Sequence, residues 1–449
     1  MKNTLAEKMA ALRGEVCTHV IQAEIDRVAA AGGGEVRIPP GEWVTGTVML
    51  RDHVCLFLEE GSLLLGSLDL ADYPPVFPHE RVRSRRAFDR RLIYGDRCTG
   101  AALMGAGRID GRHGCPDSGI PEGEDRPLLL QFINCKDLTV SGLSLQNAGS
   151  WCQQVLDCEG VRLADLRVSN HGNFTNDGLD IDGSRDVSIS GCDIDSHDDA
   201  LVFKSTGPHA CKRIDVRDCR LWSNCHPIKF GTESVGGFEE IVVSDCETSP
   251  SRFSAPMPGF PGGRPANSGF ALECVDGAVM RGIRLENLRI DNVLAPFLIK
   301  LGNRHQTGLE KGEFDSDAGP GVLEDIQVRG LRIRRAGPYS ASVTGYPGHQ
   351  VRNLHFQDLD IECRGGVSAE QVLREIPENS RGYPEINMFG NKGGKHLPSW
   401  GLFLRHVQSL RMKDAHWHLA EPDARACIFE GEQVEAEISG EQTGASFKA

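Results

Sequence analysis

Along most of the chain, apolar and polar side chains alternate over short runs, and Gly, Pro, Asn or Asp closes each run. That pattern predicts short, half-buried strands joined by tight turns. Near the N-terminus the runs read EVRIPPG, WVTGTVML, VCLFLEEG and SLLLGS. Ahead of them, THVIQAEIDRVAAAGGG has helical spacing. Thr18 is its expected N-cap, Val20, Ala23, Val28 and Ala31 share a face, and Gly32 to Gly34 end it.

From residue 130 onward one line recurs, as NCKDLTVSGLSL, DCEGVRLADLRV, GSRDVSISGCDI and their later copies. Equivalent apolar positions are Leu138, Val161, Val187, Ile214, Ile241, Ile283, Ile326 and Leu354, at steps of 23, 26, 27, 27, 42, 43 and 28. Most steps are one short coil, and the two long ones are a coil plus an inserted loop. A second apolar strand separates the copies: GLDID, ALVFKS, HPIKFG, FALEC and FLIKL. A repeat of about 25 residues made only of short strands cannot bury its own face and must stack on its neighbours. The Leu/Asn signature of leucine-rich repeats is missing, and propeller blades need about 40 to 50 residues. The expected fold is all-β: a single-stranded right-handed parallel β-helix capped by the N-terminal helix. One domain is expected over 1–449, with a cap and first coils to 75, a loop-rich segment over 76–125, coils over 126–420 and final strands and tail over 421–449.

Composition narrows the class further. The chain has 449 residues, 52 of them Gly, and 6% aromatics. So much Gly suits many turns and disfavours long helices, where each interior Gly costs about 1 kcal/mol. Forty-nine basic against 63 acidic residues leave a net charge of −14. That balance argues against a nucleic-acid or membrane-surface partner. No run of about 18 apolar residues exists to span a bilayer. There are 15 cysteines but no C-x-x-C pair, so zinc knuckles and thioredoxin-like chemistry have no support. Cys135, Cys158, Cys192, Cys219 and Cys246 recur at one turn of the repeat and read as an interior ladder of small apolar groups. No basic-then-apolar leader precedes residue 30, which points to a cytoplasmic protein, or a secreted one if a leader was trimmed. Segments 71–91 and 249–268 read as long loops. The first carries Arg81, Arg83, Arg85, Arg86, Arg90 and Arg91, either a solvated surface or an attractor of anionic substrate.

The densest chemistry lies in NDGLDIDGSRDVSISGCDIDSHDDALVFKS. Aligning alternate strands registers Asp177 with Asp199, and Asp199 with His226. Leu179, Ile181, Leu201, Phe203, Ile228, Phe230, Phe270 and Leu272 then point inward. One outward row reads Asp180, Val202, Lys229, Ala271, Leu298; the next reads Asp182, Lys204, Gly231, Glu273, Lys300. Asp177, Asp198 and Asp199 crowd one exposed groove beside His226. Like charges that close raise at least one pKa, so one carboxyl stays protonated while its neighbour ionises. Acetal hydrolysis needs that pair: an acid for the leaving oxygen and a base for water. Clustered Asp can also bind calcium, but Lys204 and Lys229 argue against it, and no metal or cofactor is expected.

These motifs resemble glycoside hydrolase family 28, the polygalacturonase family. Its Asn-x-Asp motif is similar to Asn176-Asp177, and its Asp-Asp pair to Asp198-Asp199. AEIDRVAAAGGGEVRIPPGEWVTGTVML near the start and YPEINMFG…LPSWGLFLRHVQSLRM near the end also resemble bacterial members. The resemblance implies hydrolysis with inversion, with Asp198 as general acid and Asp177 and Asp199 activating water. Such carboxyls stand about 6.5–9.5 Å apart. Two departures stand out. Cys225-His226-Pro227 replaces Gly-His-Gly, and the Arg-x-Lys slot falls on Ala271-Leu272-Glu273. Lys229 is expected either to grip the substrate instead, with Lys300 or a loop arginine, or to pair with Glu233 or Glu273. Asn176, Asp180, Lys204 and Glu273 complete the expected sugar contacts. Trp151 is expected to stack on sugar or to pack in the core at the coil edge, and Gln153, Gln154, His171 and Asn173 to bond hydroxyls.

The expected function is exo-acting hydrolysis of α-linked pectic or related acidic oligosaccharides, galacturonidase- or rhamnogalacturonidase-like. The alternatives are a polysaccharide lyase or epimerase on the same fold, or a non-catalytic carbohydrate-binding helix. The partner is an oligosaccharide, and the flank of a solenoid leaves a homo-oligomer open.

Overall fold

The structure, a computed structural model, describes residues 4–76, 89–112, 126–255, 263–304, 319–376, 378 and 395–443. The chain divides into two compact units, Met1–Val202 with Lys212–Arg220, and Phe203–Cys211 with Leu221–Ala449.

The first unit opens with a short helix, Leu5–Ala10, started by a reciprocal Thr4–Glu7 capping box. The expected helix spans Thr18–Ala30, but it is rotated from the face read off its spacing. Ile21, Ile25 and Val28 are buried, while Ala23 and Ala31 are exposed. Cys17, not Thr18, is the N-cap. The reason is local: Cys17 is anchored to the Val44 carbonyl through its backbone nitrogen at 2.8 Å and its thiol at 3.2 Å. Thr18 Oγ1 instead accepts from Gly46 N at 2.7 Å. The helix is thus docked on the first coils, where Gly34–Ile38 pairs with Val54–Leu58 and Gly41–Thr45 with Ser62–Gly66.

The repeat then runs in parallel register. Leu138 pairs with Val161, Val161 with Val187, and Val187 with Ile214. Asp137, Asp165 and Asp186 hold the bends with φ of 52° to 55°. Asp tolerates this left-handed region better than most residues. Cys135, Cys158, Cys192 and Cys219 are buried here. Each thiol donates to the carbonyl two residues back, at 3.3 to 3.5 Å. Cys158 Sγ also accepts from Cys135 N at 3.2 Å. The neighbouring Cys158 thiol is the main reason the Cys135 thiol is pushed up to about 12, so it stays protonated.

The second unit continues the same grammar. Ile241 pairs with Ile283, Ile283 with Ile326, Ile326 with Leu354, and Leu354 with Leu410. The two long steps are therefore single coils with insertions. Its interior holds an aromatic stack, with Phe203–Phe230 ring centroids 4.4 Å apart and Phe270–Phe297 5.2 Å apart. Cys246 is buried too and donates to Ser244 O at 3.1 Å. Each unit is a parallel β-helix. No helix among the described residues is long and apolar enough to cross a membrane.

Candidate active site

In the first unit, the turn after Arg167–Asn170 carries the candidate carboxylate Asp177. Two asparagines build this turn. Asn170 Nδ2 donates to Ser150 O at 2.9 Å and to Asp177 O at 2.8 Å. Asn176 Nδ2 donates to Ala148 O at 3.0 Å and Ser150 O at 2.7 Å. Asn176 is fully enclosed, so its side chain scaffolds the turn. Asn173 Nδ2 is likewise held by Gly149 O at 3.1 Å.

The next turn brings Asp198 and Asp199 alongside. Gly178 N donates to Asp199 O at 2.9 Å and Leu179 N to Ala200 O at 2.9 Å. In a parallel ladder these bonds set Asp177 beside Asp199. Asp198 N donates to Asn176 O at 3.2 Å, and Ser196 Oγ to Asp198 O at 2.8 Å. The expectation of a fully exposed groove needs refining. Asp177 is 2% and Asp199 4% exposed, while Asp198 is partly exposed. Tight backbone approach encloses the first two and leaves Asp198 at the opening. His171, further back, pairs through Nε2 with Asp195 Oδ1 at 3.2 Å.

The outward rows behind these turns are closed over. Asp180 is in register with Gln154, and both are fully enclosed. Gln153 lies in register with Leu130 and Leu179, on the inward row, also enclosed. Gln154 is the outward one. It links a buried chain: Arg91 Nε to Gln131 Oε1 at 2.7 Å, Gln131 Nε2 to Gln154 Oε1 at 2.7 Å, and Gln154 Nε2 to Asp182 Oδ2 at 3.1 Å. Two amides thus connect a guanidinium to a carboxylate. Burial pulls Arg91 down to about 10. Arg90 donates to Leu70 O at 3.0 Å, so both arginines brace the backbone. Arg81, Arg83, Arg85 and Arg86 lie outside the described residues. Trp151 is 6% exposed and packs on Leu128. The exposed aromatic near the carboxylates is Phe174.

In the second unit, His226 is fully enclosed, and its Nδ1 lies 2.8 Å from Ser268 Oγ. Ser268 Oγ donates its own hydrogen to Phe270 O at 3.0 Å. With that bond made, the hydroxyl accepts from the Nδ1–H tautomer of His226, one of the two that this contact allows. Lys204, Lys229 and Arg304 surround Glu233, and Lys204 Nζ lies 3.6 Å from its Oε2. Burial alone would raise the Glu233 carboxyl, but the three cations outweigh it and hold it at about 2. Arg304 also donates to Asp276 Oδ1 at 2.9 Å and Thr232 O at 3.0 Å. Lys229 is in register with Ala271, and Glu273 with Lys300. Burial, then the charge of Arg405, pulls Lys300 down to about 8. Lys204, Lys229 and Lys300 are each under a tenth exposed, and Glu273 is enclosed.

Sequence reasoning passed over Gly178, Phe174, Ser268 and Arg304. Phe174 had a readable signal: an aromatic in a polar turn next to an Asp has no core to fill.

Residues 80–260 match the sequence model of Glycosyl hydrolases family 28. Over that stretch the chain is similar to that family. The matched stretch includes Asp177, Asp198, Asp199 and His226. A probable polygalacturonase of Vitis vinifera is 29% identical over 368 residues, 79% of this chain. The chain covers 64% of that relative's length. Among solved structures, the hyperthermoactive exopolygalacturonase of Thermotoga maritima has a TM-score of 0.64 at 20% identity, covering 88% of each chain. The family 28 exopolygalacturonase of Yersinia enterocolitica has a TM-score of 0.61 at 13% identity, covering 96% of this chain and 75% of its own. These structures share the fold of this chain, the right-handed parallel β-helix.

Proposed function

We propose that this chain is an inverting glycoside hydrolase acting at the ends of α-linked pectic or related acidic oligosaccharides. The observation that supports this most is the backbone register of Asp177 with Asp199, with Asp198 at the opening beside them. Asp198, the reachable carboxyl, gives its proton to the leaving glycosidic oxygen. The enclosed Asp177 and Asp199 hold one water and take its proton as its oxygen attacks the anomeric carbon. The C–O bond to the leaving group breaks, a new C–O bond forms on the opposite face, and the proton balance closes across the carboxyls. In the second unit, Lys229 and Lys300 are the charges available to an acidic sugar, and Lys229 already acts on Glu233.

Reducing-end release from oligogalacturonides and rhamnogalacturonan fragments tests the reading, with product anomers followed by proton NMR. Turnover with inversion, lost in Asp198→Asn, is expected. Unchanged turnover in Asp198→Asn defeats the acid assignment. An unsaturated, ultraviolet-absorbing product would instead mark a lyase.

A further inference from the structure

Phe174 is 68% exposed, a large apolar ring left in water. It sits three residues before Asp177, in a turn whose neighbours are pinned. Asn173 N donates to Asn176 Oδ1 at 2.5 Å. On the far side, the Phe174 ring meets His197 edge to face, with centroids 5.7 Å apart and planes at 74°. His197 directly precedes Asp198, and its backbone nitrogen donates to Asn170 O at 2.9 Å. One aromatic pair is thus tied to the turns of both carboxylates within the first unit.

Leaving such a ring in water costs free energy that a ligand covering it returns. Holding it in one orientation lowers the ordering cost of whatever binds. We propose that Phe174, steadied by His197, is the stacking platform for a pyranose ring adjoining the scissile bond. This rests on the hydrolase reading above and names a specificity residue for it. A galacto-configured pyranose with axial O4 leaves C3–H, C4–H and C5–H on one face. Those hydrogens suit the electron-rich face of a phenyl ring. Phe174 offers no charge, so it recognises the ring and not a C5 carboxylate. Its contribution is the same for neutral and acidic sugars of that configuration, unlike that of the lysines.

The test compares wild type, Phe174→Ala and Phe174→Tyr on oligogalacturonides and α-linked galacto-oligosaccharides. Phe174→Ala should raise KM about three- to tenfold with kcat nearly unchanged. Phe174→Tyr should restore it, and Tm should hold, because the ring is mostly exposed. Calorimetric binding of the same oligosaccharides in an Asp198→Asn background should weaken by the same factor in Phe174→Ala. Equal KM and equal binding with and without the ring would overturn the platform. If wild type turned nothing over, the hydrolase reading would fail, and the binding comparison alone would decide the platform. Absence of binding in both proteins would overturn it.

Discussion

His226 Nδ1 and Ser268 Oγ are 2.8 Å apart, and Ser268 Oγ lies 3.0 Å from the Phe270 carbonyl. Those two contacts hold the imidazole's plane and tie its tautomer to the hydroxyl. Ser268 acts through His226 and is a positioning residue. Ser268→Ala should lower kcat about tenfold or more with little change in KM, and should shift a limb of the pH–kcat profile. Ser268→Thr keeps the hydroxyl and should rescue both. A Ser268→Ala enzyme with an unshifted profile would show that the contact only packs the strand.

Gly178 governs how closely the two acidic turns approach. A Cβ there would lie 2.3 Å from Ala200 O and 2.5 Å from Ile194 Cγ2. Neither atom is the end of a flexible polar chain, so the backbone must move. Gly178→Ala should cost more than about 1 kcal/mol of stability and remove most turnover. Thermal melting and reducing-end assays on the purified variant check both. Wild-type activity in this variant would mean that the Asp177–Asp199 register does not matter.

The repeat was legible because its apolar positions recur at one coil, and stacked strands must place them in one row. Leu138, Val161, Val187 and Ile214 do so, as do Ile241, Ile283, Ile326 and Leu354. Long steps did not hide it, since insertions fall in turns and leave the rungs intact. The phase of short elements was less legible. One residue reverses a strand's faces, so Gln153 and Gln154 exchange roles with a single shift. The helix face turned on Cys17, whose partner Val44 is 27 residues away. Candidate site residues fared likewise. The acidic register could be counted, and Ser268 beneath His226 and Arg304 beside Asp276 also lie one coil apart, at 42 and 28 residues, but spacing alone does not say which stacked polar pairs bond.

Glu233 should make the fold acid-sensitive. Its folded pKa is depressed to about 2 by Lys204, Arg304 and Lys229 acting against burial. A depressed carboxyl contributes stability above its unfolded pKa, about 4.3, and loses it as pH falls toward the folded value. Chemical denaturation between pH 6 and pH 2.5 should show that loss in wild type. Glu233→Gln should be less stable at pH 6 and show a flatter decline, since a neutral amide leaves three cations facing one another. Parallel pH curves for the two proteins would remove Glu233 from the account.

Lys300 should give substrate affinity an alkaline limit. Burial, then Arg405, lowers its pKa from 10.5 to about 8. Stability again rises with pH across the window, as for Glu233, but here it is the charged form that the fold disfavours. The cost of burying the charged amine is fully present below about pH 8 and relieved as pH rises from there to 10.5. This group therefore cannot cause a loss of stability in that window. Binding behaves differently, because a neutral amine no longer attracts an acidic sugar. KM for oligogalacturonides should rise as pH passes about 8, while KM for neutral galacto-oligosaccharides stays level. Lys300→Arg keeps its charge well above that pH and should remove the rise, since a guanidinium does not titrate there. A wild-type KM that is flat from pH 7 to 9 on acidic substrates would place the carboxylate away from Lys300 and leave the charge recognition to Lys229.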